Sequence, residues 1–393
     1  MTLLLILSCI TFISIGLPNA MLGSAWPVMY LQLQVPIGSA GIISMLISGS
    51  TIVSGLVSAR LIRRFGRITV ISACKALMAV TLLGFALSRH FAVLCLLAVP
   101  LGLGSGAIDT GVSSFVALHY KARHMNWLHA FWAVGATIGP LIMSFSLIRF
   151  EAWQGGYIIV AILQLLLAAV LIFTVPLWNR VDQLPEHVAA VHDLLPLKHL
   201  ARMAGAVPTL VALFMCCGIE TTVGLWGSSY LVKARGLPEE TAASWIALYF
   251  TGIMAGRFLS GLLSIRLNNR QLIELGELLI AAGVTMLFLP LPDTLLLAAL
   301  FLIGLGLAPI VPSMLHSTPA HFGGRYAQSL IGVQMASTFA GSALVPPLFG
   351  YLAGEARHHL FPYFLAAVLI VMVLAMALVY HRLNPGAVPA ATD

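Results

Sequence analysis

The chain has 393 residues, 60% of them hydrophobic and 8% charged, with a formal net charge of +7. A soluble domain carries about 25% charged residues, and no single water-facing core can bury this much apolar side chain, so the solvent here is a bilayer. The excess charge does not describe a nucleic-acid surface: the basic residues sit in short segments between apolar runs, as topology requires of a multi-pass membrane chain.

Twelve runs approach the ~20 residues that a helix needs to cross hydrocarbon. They fall at approximately 3–31, 38–62, 68–88, 91–118, 125–148, 153–176, 207–232, 238–264, 271–290, 293–316, 325–352 and 360–382. The predicted fold is an all-α polytopic membrane protein of two pseudo-symmetric six-helix bundles. Its expected parts are an N-terminal bundle at 1–176, a cytoplasmic linker at 177–206, and a C-terminal bundle with a short tail at 207–393.

The first run begins at Thr2 without a basic leader or a clear cleavage site, which reads as a retained first helix. It contains Gly16, Pro18, Gly23 and Pro27, residues that bend a helix or let backbones approach. Asn19 is its deep polar residue, and Trp26 lies toward its far end.

The second run closes on Ser54-Gly55-Leu56-Val57-Ser58-Ala59-Arg60-Leu61, and the eighth closes on Ser260-Gly261-Leu262-Leu263-Ser264-Ile265-Arg266-Leu267. Six of these eight positions match, about half the chain apart. Leu101-Gly102-Leu103-Gly104 likewise parallels Ile303-Gly304-Leu305-Gly306, and Gly16 to Tyr30 parallels Gly218 to Tyr230, with Asn19 opposite Glu220. Repeated halves suit a carrier whose site lies between them.

Arg63-Arg64-Phe65-Gly66-Arg67 follows the second run as a candidate gating loop. Lys75, shallow in the third run, is expected to snorkel to the membrane surface. Asp109 is the charge of the fourth run and Glu220 that of the seventh. An ionisable side chain in hydrocarbon costs about 2.5–3.5 kcal/mol on insertion scales, so such groups normally face a cavity or a partner. A protonated carboxylate also passes an apolar gate more easily than an ionised one, which makes Asp109 and Glu220 the candidates for proton coupling.

Arg257 in the eighth run and Glu277 in the ninth lie at comparable depth and are expected to form an ion pair or a gate. His129, Gln164, Gln334 and His316 are polar residues in apolar surroundings. With Asn19, His129, Gln164 and Gln334 supply the donors and acceptors that a hydroxylated solute needs, while Trp26 and Trp226 supply ring faces or an interfacial belt. The segment 177–206 carries Asp182, Glu186, Asp193, Lys198 and Arg202, and a short surface helix is expected at 186–203.

With both termini cytoplasmic, inner loops and tail hold thirteen Lys and Arg against five in the outer loops. The five cysteines, Cys9, Cys74, Cys95, Cys216 and Cys217, lie in apolar runs without C-x-x-C spacing and read as small core residues.

Two six-helix halves, a middle linker and the basic loop at 63–67 resemble the major facilitator superfamily. That loop matches the latter part of the superfamily's signature, but Arg63 stands where the family has an aspartate, which puts the usual loop salt bridge in doubt. Gly102 to Thr110, Leu128 to Phe131, Gly135 to Leu141, Gly218-Ile219-Glu220 with Trp226, and Gly252 to Phe258 are similar to the fucose-galactose-glucose:proton symporter group. That resemblance implies a monomeric inner-membrane symporter of a small sugar-like solute, with no cofactor or metal. It also implies that Asp109 matches the group's coupling acid in span four. The fucose carrier's acid in span one is Asn19 here, and relatives couple to sodium as well as protons, so the ion stays open.

Gly135-x-x-x-Gly139-Pro140 also resembles part of the span-five motif of proton-coupled drug exporters, without its following glycine pair. A membrane enzyme is the reading from another class. HExxH and GxSxG are absent, and His119, His124 and His129, spaced by five, do not share one helical face.

Overall fold

In hydrocarbon every backbone N–H and C=O must be satisfied within the protein, and a helix does this within one segment. The computed structural model describes residues 2–120, 122–182, 203–290, 292–322 and 324–383, and every long apolar run in it is helical. The first half comprises α1 (Thr2–Gln32), α2 (Ala40–Phe65), α3 (Arg67–Leu87), α4 (Phe91–His119), α5 (Ala122–Phe150) and α6 (Gln154–Phe173), followed by the short α7 (Val175–Asp182). The second half comprises α8 (Ala206–Arg235), α9 (Glu239–Leu263), α10 (Asn269–Phe288), α11 (Asp293–Leu307), α12 (Ile310–Phe322), α13 (Gly324–Ala353) and α14 (Phe361–Leu383). The helix expected at 186–203 lies outside the described residues, save for residue 203.

The tenth run differs from expectation by being two helices. They part at Ala308-Pro309, where a proline removes a backbone donor and crowds the preceding turn. Among the described residues, eleven helical segments are both long and apolar enough to cross a membrane. The long helix outside that set is α13. Its 30 residues are rich in Ser, Gly and Gln and carry Pro346 and Pro347, and it packs against α8 and α2.

The internal repeat is visible in the packing. On α5, a Cβ added at Gly135 would collide with the Ile13 carbonyl of α1, and on α13 one at Gly341 would collide with the Phe214 carbonyl of α8. Gly102 and Gly106 of α4 lie against the Ile47 and Thr51 carbonyls of α2, as Gly304 of α11 lies against the Tyr249 carbonyl of α9. The paired Ser-Gly-Leu-x-Ser-x-Arg-Leu segments lie near the ends of α2, which runs on to Phe65, and of α9, which stops at Leu263, and both arginines, Arg60 and Arg266, are exposed.

Successive crossings alternate, so the start of α1, the end of α14 and the α2–α3, α4–α5 and α9–α10 turns share one face, here the terminal face. The α1–α2, α5–α6 and α8–α9 turns share the far face. The halves meet tightly at the far side. Gly41 of α2 lies against Pro347 of α13, and Gly38 faces the Gly350 carbonyl. Lys233 stands 5.1 Å from the Tyr30 ring centre, and Ser144 Oγ donates to the Glu240 carbonyl at 2.8 Å. Deeper in, Gly23 of α1 sits on the Gly224 carbonyl of α8, with no room for a Cβ.

A side chain at Gly23 must therefore push α1 and α8 apart. Gly23→Val is expected to raise the modification rate of a cysteine placed at Tyr30 by about tenfold, because the closed arrangement becomes costly. An unchanged rate would mean that the far-side contact does not hold the halves together.

Candidate functional site

Asn19 is exposed although Leu17, Pro18, Ala20 and Met21 around it on α1 are buried. A polar side chain exposed amid a buried stretch marks an internal cleft. Asp109 is half-buried on α4, where its Oδ1 accepts from Ser113 Oγ at 3.2 Å. At 100° per residue it lies about 160° from Val93 and about 140° from Leu96, two of the exposed residues of that helix. It also neighbours the Gly102–Gly106 stripe that packs on α2, so it points inward.

Glu220, midway along α8, faces Arg257 of α9, with Arg257 Nη2 4.0 Å from Glu220 Oε1 and both side chains 21% exposed. That is an ion pair beyond hydrogen-bond reach. Arg257 reaches across the seam between the halves: its Nη1 donates to the His129 carbonyl of α5 at 2.8 Å, and its guanidinium lies 5.3 Å from the Trp132 ring centre. His129 is seven residues into α5, so this crossing is about 10 Å from the helix end. Tyr249 OH donates to the Glu220 carbonyl at 3.0 Å, fixing α9 to α8 at the same level.

A planar guanidinium with several donors can hold a carbonyl, a carboxylate and a ring face together, which an ammonium cannot do in one geometry. The seam therefore has one cation shared between halves and one acid that is not fully neutralised. Arg257 at 21% exposure keeps enough solvent contact to exchange partners.

Several expected site residues lie elsewhere. Arg257 pairs with Glu220 rather than Glu277, whose Oε1 is buried without a hydrogen-bond partner among the described residues. Position along a helix does not determine which face of α10 Glu277 occupies. Gln164 is fully buried on α6, donating to the Ser14 carbonyl and accepting from Lys75 at 3.1 Å. Lys75 does not snorkel. It is fully buried, because α3 packs between α4 and α6 there. Gln334 is buried on α13 and accepts from Thr318 Oγ1 at 2.9 Å.

Trp26 and Trp226 are each 0% exposed, so neither lines a cavity nor forms an interfacial belt. Their indole N–H groups donate to the Ile37 carbonyl at 2.6 Å, in the α1–α2 turn, and to the Pro346 carbonyl at 2.8 Å, within α13. The His129 ring packs edge-on to Phe12, 5.5 Å between centres, and it is the residue's carbonyl that meets Arg257. His316 is exposed near the terminal face beside Asn269.

Arg63 and Arg64 are exposed at the end of α2. Arg67 is buried and donates to the Gly111 carbonyl at 3.0 Å and to Ser114 Oγ, so it ties α3 to α4 within the first half.

Trp132 and Tyr249 were not legible as site residues. Trp132 stands three residues after His129 and so shares its helical face, a spacing that pointed to it once His129 was chosen. No group of three or more His, Cys, Asp or Glu side chains among the described residues could hold a metal ion.

The sequence model of the Major Facilitator Superfamily matches residues 7–238 and again 208–392. The glucose/mannose transporter GlcP of Bacillus subtilis (strain 168) is 25% identical over 306 residues, covering 75% of this chain and 74% of that one. The cis,cis-muconate transport protein of Acinetobacter baylyi (strain ATCC 33305 / BD413 / ADP1) is 25% identical over 311 residues, 74% of this chain and 72% of its own.

Among solved structures, an inward-facing, unoccupied bacterial homologue of the human lysosomal transporter Spinster superposes with a TM-score of 0.76. It is 14% identical, and the match covers 97% of this chain and 96% of that one. The nucleoside transporter NupG gives 0.77 at 14% identity, covering 95% and 99%. These likenesses at low identity establish the fold. The family model, whose two matches together span nearly the whole chain, establishes more: this chain is a multi-pass membrane transporter belonging to the Major Facilitator Superfamily.

Proposed function

We propose that the protein carries a small hydroxylated, sugar-like solute across the membrane by proton-coupled symport with alternating access. The observation that supports this reading is the seam of Glu220, Arg257 and the His129 carbonyl, a charge contact that links the halves, with Asn19 exposed on α1 and Asp109 half-buried on α4. Residues 1–176 and 207–393 act as the two moving halves, joined by 177–206. The far-side contacts favour a cleft that opens toward the terminal face, which we assign to the cytoplasm of a bacterial cell from the bias of Lys and Arg. The protein then resides in the inner membrane.

Two acids and one arginine leave the cleft without surplus positive charge, which suits a neutral polyol better than a dianion. The glucose/mannose relative supports the same class. Asn19 and Trp132 then supply a hydrogen-bonding group and a ring face for the solute. In each cycle Asp109 takes up a proton, the loaded carrier reorients, and the proton leaves on the other side. A second reading, a small carboxylate held by Arg257, is favoured by the muconate relative.

Purified protein in liposomes, tested for uptake of radiolabelled D-glucose and of cis,cis-muconate under an inward pH gradient, separates the two. Glucose uptake abolished by a protonophore is the expected result. Uptake of muconate alone would replace the sugar reading by the carboxylate one, and uptake of neither would remove both.

A further inference from the structure

Lys75 has no part in the transport step described above, yet it is among the largest fully buried side chains of the protein. Among the described residues no carboxylate forms an ion pair with it. Its ammonium instead meets three oxygens: the Thr11 carbonyl at 3.4 Å, Gln164 Oε1 at 3.1 Å, and Ser14 Oγ. An ammonium has three donors, and each has a partner. Gln164 closes the network by donating its amide to the Ser14 carbonyl. One cation on α3 and one amide on α6 thus clamp a single stretch of α1, residues 11–14. An unpaired charge is costly to bury, so this clamp is a demanding way to hold a helix that ordinary apolar packing could hold.

The opposite side of the same stretch explains the demand. Phe12, beside Thr11, packs against the His129 ring, and Gly16 lies on the Trp132 carbonyl with no space for a Cβ. His129 and Trp132 are the two residues of α5 that receive Arg257, one through its carbonyl and the other through its ring. Asn19 follows one turn after Gly16 on α1. The stretch from Thr11 to Gly16 is therefore held by Lys75 on one side and backs the Arg257 contact on the other.

We propose that Lys75 is a positioning residue: clamping α1 through Thr11, Ser14 and Gln164, it sets the depth of Asn19 in the cleft and the placement of the α5 surface that receives Arg257. The inference rests on the reading of that seam as the working site, but its test needs no substrate. Lys75 acts through α1 and touches no solute.

The test uses full-length protein with the five native cysteines replaced and Asn19→Cys as the reporter, modified by N-ethylmaleimide. Three backgrounds are compared at a temperature well below unfolding: Lys75 retained, Lys75→Met, and Lys75→Met with Gln164→Met. The double variant guards against simple failure to fold. It removes both exacting polar partners together, and Ser14 Oγ keeps the Thr11 carbonyl of its own helix at 2.7 Å.

The expected result is a change of about threefold or more in modification rate at Asn19→Cys in both variants, even where the double variant recovers the thermal midpoint. A rate equal to that of the Lys75 background in the double variant would reduce Lys75 to a stability role and overturn the proposal. Failure of glucose transport with a changed modification rate would remove the transport reading and leave the positioning role intact.

Discussion

Asp109→Asn is expected to abolish uphill accumulation of D-glucose in liposomes while leaving counterflow exchange within about threefold of the parent. With one proton per solute, a gradient of one pH unit supports accumulation of about tenfold, because 1.4 kcal/mol corresponds to a factor of ten. Asparagine keeps the size and a hydrogen-bonding partner for Ser113, whose Oγ donates to Asp109 at 3.2 Å, so folding should survive. What asparagine cannot do is gain and lose a proton. The halves can still rock with a solute bound, which exchange measures, but a pH gradient no longer drives net movement. Retained accumulation with Asn at 109 would move the coupling group elsewhere, with Glu220 the next acid to examine.

Arg257→Gln is expected to lower both exchange and accumulation by at least about tenfold, and Arg257→Lys should recover little of either. Three contacts are lost at once: the 4.0 Å pair with Glu220, the 2.8 Å bond to the His129 carbonyl and the ring contact with Trp132. Removing one partner leaves Glu220 as an uncompensated charge in a partly shielded seam. At 21% exposure for each side chain the cost is less than that of a fully buried pair, so the loss should appear in the cycle before it appears in stability.

Lysine restores the charge but not the planar fork that serves a carbonyl, a carboxylate and a ring together. Exchange and accumulation rates for the three forms, with thermal midpoints alongside, check this. Full activity in Arg257→Gln would make the contact incidental to transport.

Much of the scaffold could be read from the chain, because the bilayer imposes it. A run of about 20 apolar residues has almost no choice but a helix, and the duplicated segments at Ser54 and Ser260 fall near the ends of corresponding helices. The position of a polar residue along its helix is legible in the same way: Glu220 lies midway along α8, and Asn19, in the interior of α1, is exposed.

Facing was not legible. Membrane helices packed on several sides have no strong polar and apolar faces, since lipid and protein neighbours are equally apolar. Gln164 and Gln334 therefore looked identical to cleft residues, although each turns into its own half. Lys75 misled for a related reason. A long basic side chain within a few turns of a helix end can reach the surface, and only the oxygens of Thr11, Ser14 and Gln164, from two other helices, show why it turns inward. Trp26 and Trp226 were placed correctly toward one end, but their N–H groups serve far-side carbonyls within the protein rather than an interface.

The central claim, that solute and proton move together through a cleft in which Asp109 is the exchanging acid, is tested most directly by internal pH. Liposomes containing purified protein and an entrapped pH-sensitive dye are given external D-glucose with no imposed gradient. Glucose-dependent acidification of the interior is expected for the parent and none for Asp109→Asn. Glucose entry into parent vesicles without acidification, or equal acidification with Asn at 109, would contradict it.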